Sequence, residues 1–373
     1  MKFLGLKRTI PVPNQNLKLK KSIVTAAIVS LVAYGLVQLF PSKNAALYSD
    51  TMVNAAHTMD KAIVTIGEYS AQAGIPIDGA IDPNRTGLVG PQISPIATTL
   101  GNLEAKRTTT NPNFAAVIVH LLQQSGVTKG DTIAIGCSAS FPALMIATLA
   151  AVKAMGIHPI IIISLGSSSF GATNPNFTLM QIYEILHRQK IFEVKPTAIS
   201  LGGDLDIGRD FEPGVREKLI QQIHHSGIPF IFESDLQKNI TQRMKVFLGN
   251  SEQRKISAFI NIGGGYANIG TSSLVLKLKP GINEEMQIPP KAERGVLFEM
   301  ANRNIPTIHL LYIRGLALQY GLPWDPIPLP KAGESELLFA GSHRNFQFWI
   351  IAILYFLILM GLFTYGKIQM ANT

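Results

Sequence analysis

Cysteine is almost missing from this 373-residue chain: Cys137 stands alone. A single thiol excludes an intramolecular disulfide and any zinc site built on cysteines. Histidine is sparse too, and none of the eight falls in the Gly/Ser-rich loops described below. A serine–histidine–aspartate hydrolase, whose base must sit beside its nucleophile, is therefore disfavoured. No Gly-x-x-x-x-Gly-Lys-Ser/Thr run occurs, so ATP-driven chemistry is not encoded in recognisable form. Repeats and low-complexity tracts are also missing. Residues 1–21 contain no acidic side chain, and two stretches, 22–40 and 348–365, contain no charge at all.

Those two charge-free stretches are what the chain has instead. Each is about as long as a helix needs to be to cross a ~30 Å hydrocarbon core. Lys2, Lys7, Arg8, Lys18, Lys20 and Lys21 precede the first, and Lys and Arg beside a span stay on the cytoplasmic side. The expected topology is a basic cytoplasmic arm (1–21), a span (22–40), an extracytoplasmic middle, a second span (348–365) and a cytoplasmic tail (366–373). No small-x-small cleavage site follows the first run, so it is read as an uncleaved anchor rather than a signal peptide. Phe348, Trp349, Tyr355 and Tyr365 lie at or near the ends of the second, where amphipathic rings favour the interface. Of the net charge of +9, six positive charges sit in the arm and one in the tail, which leaves +2 for the rest. The basic balance is thus a topogenic and lipid-directed signal, with no reason to invoke nucleic acid.

Between the spans, residues 46–73 show apolar side chains at helical spacing. Residues 75–110 are rich in Pro, Gly, Thr and Asp without lasting periodicity; so long a connection is functional or wraps the domain. With the helix before it, it makes a membrane-proximal segment (41–110). Asn111-Pro112 reads as the cap and first turn of a helix ending at Gly126. Six β-branched runs follow, at 132–135, 159–165, 197–201, 229–232, 258–262 and 307–313, most of them separated by amphipathic stretches of helix length. That alternation predicts an α/β domain over 111–320: a doubly wound, mostly parallel sheet with helices on both faces. Residues 321–347, with prolines clustered at the start, read as an exit towards the second span.

Open parallel sheets bind ligands beyond the carboxyl ends of their strands. Here those ends run into Gly136-Cys137-Ser138-Ala139-Ser140, Gly166-Ser167-Ser168-Ser169, Gly202-Gly203-Asp204-Leu205-Asp206, Glu233-Ser234-Asp235, Gly263-Gly264-Gly265-Tyr266-Ala267-Asn268 and Arg314-Gly315. Free N–H groups at helix starts, backed by serine hydroxyls, suit an anion. The expected ligand residues are Ser138, Ser140, Ser167, Ser168, Gly203, Asp204, Gly264, Gly265 and Asn268. Each motif alone is weak. Gly136-x-Ser138-x-Ser140 has serine where a nucleophile elbow has its second glycine, and helix capping is the alternative role for both serines. Asn268 replaces the third glycine of a dinucleotide fingerprint. Asp204, Asp206 and Asp210 are oxygen ligands that suit Mg²⁺ or Ca²⁺, or simply a solvated acidic loop. No cofactor is expected.

A set of longer runs adds a resemblance. They are Asp82-Pro83-Asn84-Arg85-Thr86-Gly87-Leu88-Val89-Gly90, Glu104-Ala105-Lys106-Arg107-Thr108-Thr109-Thr110-Asn111-Pro112-Asn113-Phe114-Ala115-Ala116, Ser138-Ala139-Ser140-Phe141-Pro142-Ala143-Leu144 and Gly166-Ser167-Ser168-Ser169-Phe170-Gly171-Ala172-Thr173-Asn174-Pro175. With Gly202-Gly203-Asp204 and the two flanking apolar runs, the chain resembles the poly-gamma-glutamate system protein family over nearly its whole length. The resemblance implies a bacterial envelope protein working with a ligase-like synthase and small membrane subunits that make and export poly-γ-glutamate. It implies a pathway and not a reaction. A polymer with a carboxylate on every residue would meet Arg85, Lys106, Arg107, Arg209 and Arg314 through charge-assisted hydrogen bonds. Three roles stay open at this point: a non-catalytic polymer binder, an envelope hydrolase or transferase using Ser138, Ser140 or an Asp204-bound metal, and a scaffold for sister membrane subunits.

Overall fold

Alternating β-branched runs and amphipathic stretches fold into a sheet with helices on both sides. The computed structural model describes residues 15–39, 49–335 and 346–371. In chain order the elements are α1 (Gln15–Leu39), α2 (Ser49–Gln72), β1 (Ala97–Thr99), α3 (Leu103–Thr109), α4 (Phe114–Gln124), β2 (Thr132–Ser138) and α5 (Pro142–Met155). Next come β3 (His158–Ser164), β4 (Ser167–Ser168), α6 (Leu179–Arg188), β5 (Ala198–Ser200), α7 (Pro213–Ser226), β6 (Phe230–Ile231) and α8 (Leu236–Leu248). The last are β7 (Ala258–Ile262), α9 (Tyr266–Ile269), β8 (Gly281–Asn283), α10 (Val296–Ala301), β9 (Thr307–Leu310), α11 (Ile313–Gln319) and α12 (Phe346–Ala371). Two units separate: Leu47–Leu338, and Met1–Ala46 together with Phe339–Thr373.

The larger unit holds a seven-stranded sheet in the order β6-β5-β3-β2-β7-β9-β8. Every pairing is parallel except that of edge strand β8 with β9. Strand side chains divide strictly by parity, because successive residues point to opposite faces. Ile133, Ile135, Ile161, Ile163, Ile199, Ile260 and Ile262 pack on one face with side chains of α2, α4, α5, α6 and α7. Ala134, Ile160, Ile162, Ala198 and Phe259 pack on the other with α8 and α10. Burying each such isoleucine contributes roughly 2 kcal/mol, and dry packing on both faces explains why these strands read as unbroken apolar runs.

All six expected strands are present, with differences at their ends. The last stops at Leu310, and Ile313 already opens α11. The helix expected from Asn111-Pro112 begins at Phe114; Asn111 Oδ1 instead accepts the Asn113 N–H at 3.0 Å in the turn before it. Strands β1, β4 and β8 were not foreseen, since two or three residues are too short to show a period. The 75–110 segment is no plain loop: β1 pairs in parallel with β4, and α3 follows. Residues 47–110 belong to the same compact unit as the sheet.

Chain order now fixes a crevice. From β2 the chain builds β3, β5 and β6 to one side, then returns to lay β7 and β9 on the other. Adjacent crossovers that depart in opposite directions leave a gap beyond the carboxyl ends of β2 and β7, the topological switch point.

In the smaller unit α1 packs against α12, with Ser30 Oγ 2.9 Å from Tyr355 Oη. Side chains are described for residues 23–36 of α1 and 349–365 of α12. Among the described residues no helix is long and apolar enough to cross a membrane. The expected spans, 22–40 and 348–365, reach past those side chains. Most of the basic arm, and residues 41–48 and 336–345, lie outside the described residues.

Candidate functional site

A cleft of about 710 Å³ opens at the switch point. Five strand ends wall it: Ser138, Ser140 and Phe141 after β2; Gly166 and Ser168 after β3; Gly203, Asp204 and Asp210 after β5; Gly264, Gly265 and Tyr266 after β7; Tyr312 and Arg314 after β9. Residues 98–102 and Lys106 close it from the side, brought there by the β1–β4 pairing that docks α3 over the strand ends.

Seven of the nine expected ligand residues line this cleft: Ser138, Ser140, Ser168, Gly203, Asp204, Gly264 and Gly265. Gly203 sits at φ 66°, ψ −157°, a conformation costly for any residue with a Cβ, and so turns the backbone into the cleft wall. Ser167 and Asn268 are not in it. Ser167 is fully buried, its Oγ donating to the carbonyls of Ala139 (3.1 Å) and Ser168 (2.8 Å). Asn268 lies beneath the strand ends against Gly136, where an added Cβ would stand 2.6 Å from Asn268 Nδ2. The fourth loop also stays out, since Asp235 is spent capping α8 through the Lys238 N–H. Neither Ser138 nor Ser140 caps a helix. Phe141 holds the N-cap position of α5 without a side-chain bond, and Ser140 Oγ instead accepts the Ser168 N–H at 3.0 Å.

The proposed polyanion contacts divide sharply. Only Lys106 and Arg314 reach the cleft. Arg107 makes a two-pronged pair with Asp325 at 2.5 and 2.6 Å, pinning the exit segment to α3. Arg209 pairs with Asp204 at 2.5 Å, and Arg85 is exposed but does not line the cleft. The acidic trio is divided as well. Asp206 is 2 % exposed and faces Arg243 (2.6 Å), Ser200 and Asn239, while Asp204 turns to Arg209. Among the described residues no group of three or more His, Cys, Asp or Glu side chains is placed to hold a metal ion. His309, in β9, is a core residue: it is buried, its Nδ1 lies 2.9 Å from Asn261 Nδ2, and burial pulls its pKa down to about 4.

The unusual group is Lys106. Its side chain is buried, yet it has no carboxylate partner among the described residues. Nζ contacts the Ser140 carbonyl at 2.5 Å and Ser168 Oγ at 2.7 Å, and lies 3.8 Å from the centroid of the Phe141 ring. Burial disfavours the ammonium and lowers its pKa to about 7. Arg314, which also lines the cleft, is exposed and lies over the Trp324 ring, 5.8 Å from its centroid. Burial first, then the charges of Asp204 and Asp235, raise the pKa of Tyr266 nearby. Sequence reasoning singled out Lys106 and Ser168 separately and missed that they meet; it also missed Tyr266, Tyr312 and Trp324.

Fold and site together define an α/β protein with a polar cleft at the switch point of its sheet. Comparison with known protein families, with characterised proteins and with solved structures finds no match for the chain.

Proposed function

We propose that this chain is a membrane-anchored accessory component of a bacterial system that makes and exports poly-γ-glutamate, and that its strand-end cleft takes the polymer or an anionic fragment of it. The observation that carries this reading is the cleft itself, which gathers five strand ends and presents Lys106 and Arg314 to an occupant. Asp204, which also lines the cleft, is already held by Arg209. The sequence resemblance supplies the polymer's identity, and the sister synthase and export subunits are the partners it implies.

Anchoring draws on the terminal helices. The charge-free runs 22–40 and 348–365 fall almost wholly within them and extend past the residues whose side chains are described. Large apolar side chains such as Leu31, Phe356 and Phe363 are more than half exposed in them, which suits a lipid surround. In this reading both ends of the chain are cytoplasmic and the sheet domain is extracytoplasmic.

The test is binding of fluorescent poly-γ-glutamate to the full chain in nanodiscs. Saturable binding that weakens as salt rises is expected, with affinity about tenfold lower in Arg314→Gln, the size of one charge-assisted hydrogen bond. Absence of binding at low salt refutes the polymer reading. Reporter fusions placing residue 200 in the cytosol refute the topology.

A further inference from the structure

We propose that Ser168 and Lys106 form a nucleophile–base pair for acyl transfer, acting on an amide or ester whose acyl part carries a carboxylate. The substrate class rests on the polymer-binding reading above; the pair itself does not.

Three observations converge. Ser168 Oγ is 2.7 Å from Lys106 Nζ, within reach for proton transfer, and both residues line the cleft. The amine is buried with two oxygens and a ring for company and no carboxylate, an environment that favours its neutral form. Both partners are fixed by other bonds: the Ser168 N–H is held by Ser140 Oγ at 3.0 Å, and Nζ by the Ser140 carbonyl. A lysine kept only to bridge two loops would need neither burial from counter-charges nor an open cleft beside the hydroxyl it touches. The other charged groups of the cleft are Asp204, Asp210 and Arg314. On α3 itself the charged neighbours are Glu104 and Arg107, and Arg107 is spent on Asp325. None forms an ion pair with Lys106.

The chemistry balances without a metal or a histidine. Neutral Lys106 donates one N–H to the Ser140 carbonyl and accepts the Ser168 hydroxyl proton on its lone pair. Oγ adds to the substrate carbonyl carbon, and the tetrahedral adduct collapses as the C–N or C–O bond breaks. The Lys106 ammonium returns its proton to the leaving amine or alcohol, and an acyl-Ser168 ester remains. Water then adds to the ester, giving its proton to Lys106, which restores the Ser168 hydroxyl as the acid departs. An amine in place of water makes the same step a transfer. Arg314, the other cation lining the cleft, would hold a carboxylate of the acyl group.

The experiment is labelling of the full chain in nanodiscs with a fluorophosphonate, which phosphonylates activated serines, with the labelled peptide mapped by mass. Labelling at Ser168 is expected, rising about tenfold from pH 6 to pH 8 as an amine with a pKa of about 7 loses its proton. It should vanish in Ser168→Ala and fall at least a hundredfold in Lys106→Met and in Lys106→Arg, whose cation cannot act as a base. Access is measured separately with Ser168→Cys and iodoacetamide, since the native thiol, Cys137, is buried. Alkylation of the Ser168→Cys variant at that position, beside an unlabelled Ser168 in the wild type, overturns the proposal, and so does equal labelling of the lysine variants. Polymer binding is read on the same samples. An unlabelled, accessible Ser168 in a wild-type chain that still binds polymer refutes the pair alone, whereas labelling without polymer binding upholds the pair and refutes the polymer reading.

Discussion

Replacing Lys106 by methionine exchanges a buried amine for an apolar chain of similar reach. In the folded protein burial lowers the amine's pKa from 10.5 to about 7, and no carboxylate offsets this. Each tenfold change in proton affinity is worth about 1.4 kcal/mol, so below pH 7 the folded state is destabilised by on the order of 5 kcal/mol relative to an unperturbed lysine. The sign follows from proton counts. Between pH 7 and 10.5 the unfolded chain holds this proton and the folded chain does not. Wild-type stability therefore rises with pH across that window, and this group contributes no slope outside it. Methionine removes the titration. Lys106→Met should exceed wild type in stability most at pH 6, and the advantage should shrink by several kcal/mol at pH 10. There the neutral amine still donates to Ser140 and meets Ser168, so wild type draws level or ahead. The assay is urea unfolding of the full chain followed by tryptophan fluorescence. With a slope of about 3 kcal/mol/M, the gap between the two midpoints should change by about 1.5 M from pH 6 to pH 10. A gap that stays constant with pH, or widens towards alkali, refutes the account of Lys106 as a desolvated, unpaired amine.

Two further outcomes test the framework around the cleft. Gly136→Ala drives a methyl into the Asn268 amide and should cost about 2 kcal/mol; Asn268→Ala in the same chain should recover at least half of it, and additive effects in unfolding midpoints refute the contact. Arg243→Met leaves Asp206 buried without its cation and should cost about 3–5 kcal/mol, a fall of about 10 °C in Tm, because Ser200 and Asn239 supply hydrogen bonds but no charge. A fall under about 2 °C contradicts that role, and a second change, Asp206→Asn, should restore most of the loss.

The parallel sheet was legible because burial on both faces forces long β-branched runs: 159–165 and 258–262 mark β3 and β7 to within a residue, and 132–135 marks the start of β2 but stops short of its end at Ser138. The short pieces were not. β1 and β4 are held by each other and by tertiary packing, so neither carries a periodic signal of its own. The site was half legible. Glycine and serine clustered at strand ends indicate an open edge, and Ser138, Ser168, Asp204 and Gly264 do converge there. Charge was the misleading part. Arg107 and Arg209 look alike on paper to Arg314, and Asp206 to Asp204, but the fold spends Arg107 on Asp325 and Arg209 on Asp204 and buries Asp206 against Arg243.

Periodicity and local charge are properties of short stretches. By itself, then, the sequence determined the longer strands and helices and where glycine opens the edge of the sheet. Only the tertiary structure decided which side chains meet. Lys106 and Ser168 are 62 residues apart along the chain, and their contact depends on a three-residue strand pairing that no local pattern encodes. Burial, and with it the state of the Lys106 proton, exists only once that pairing has formed.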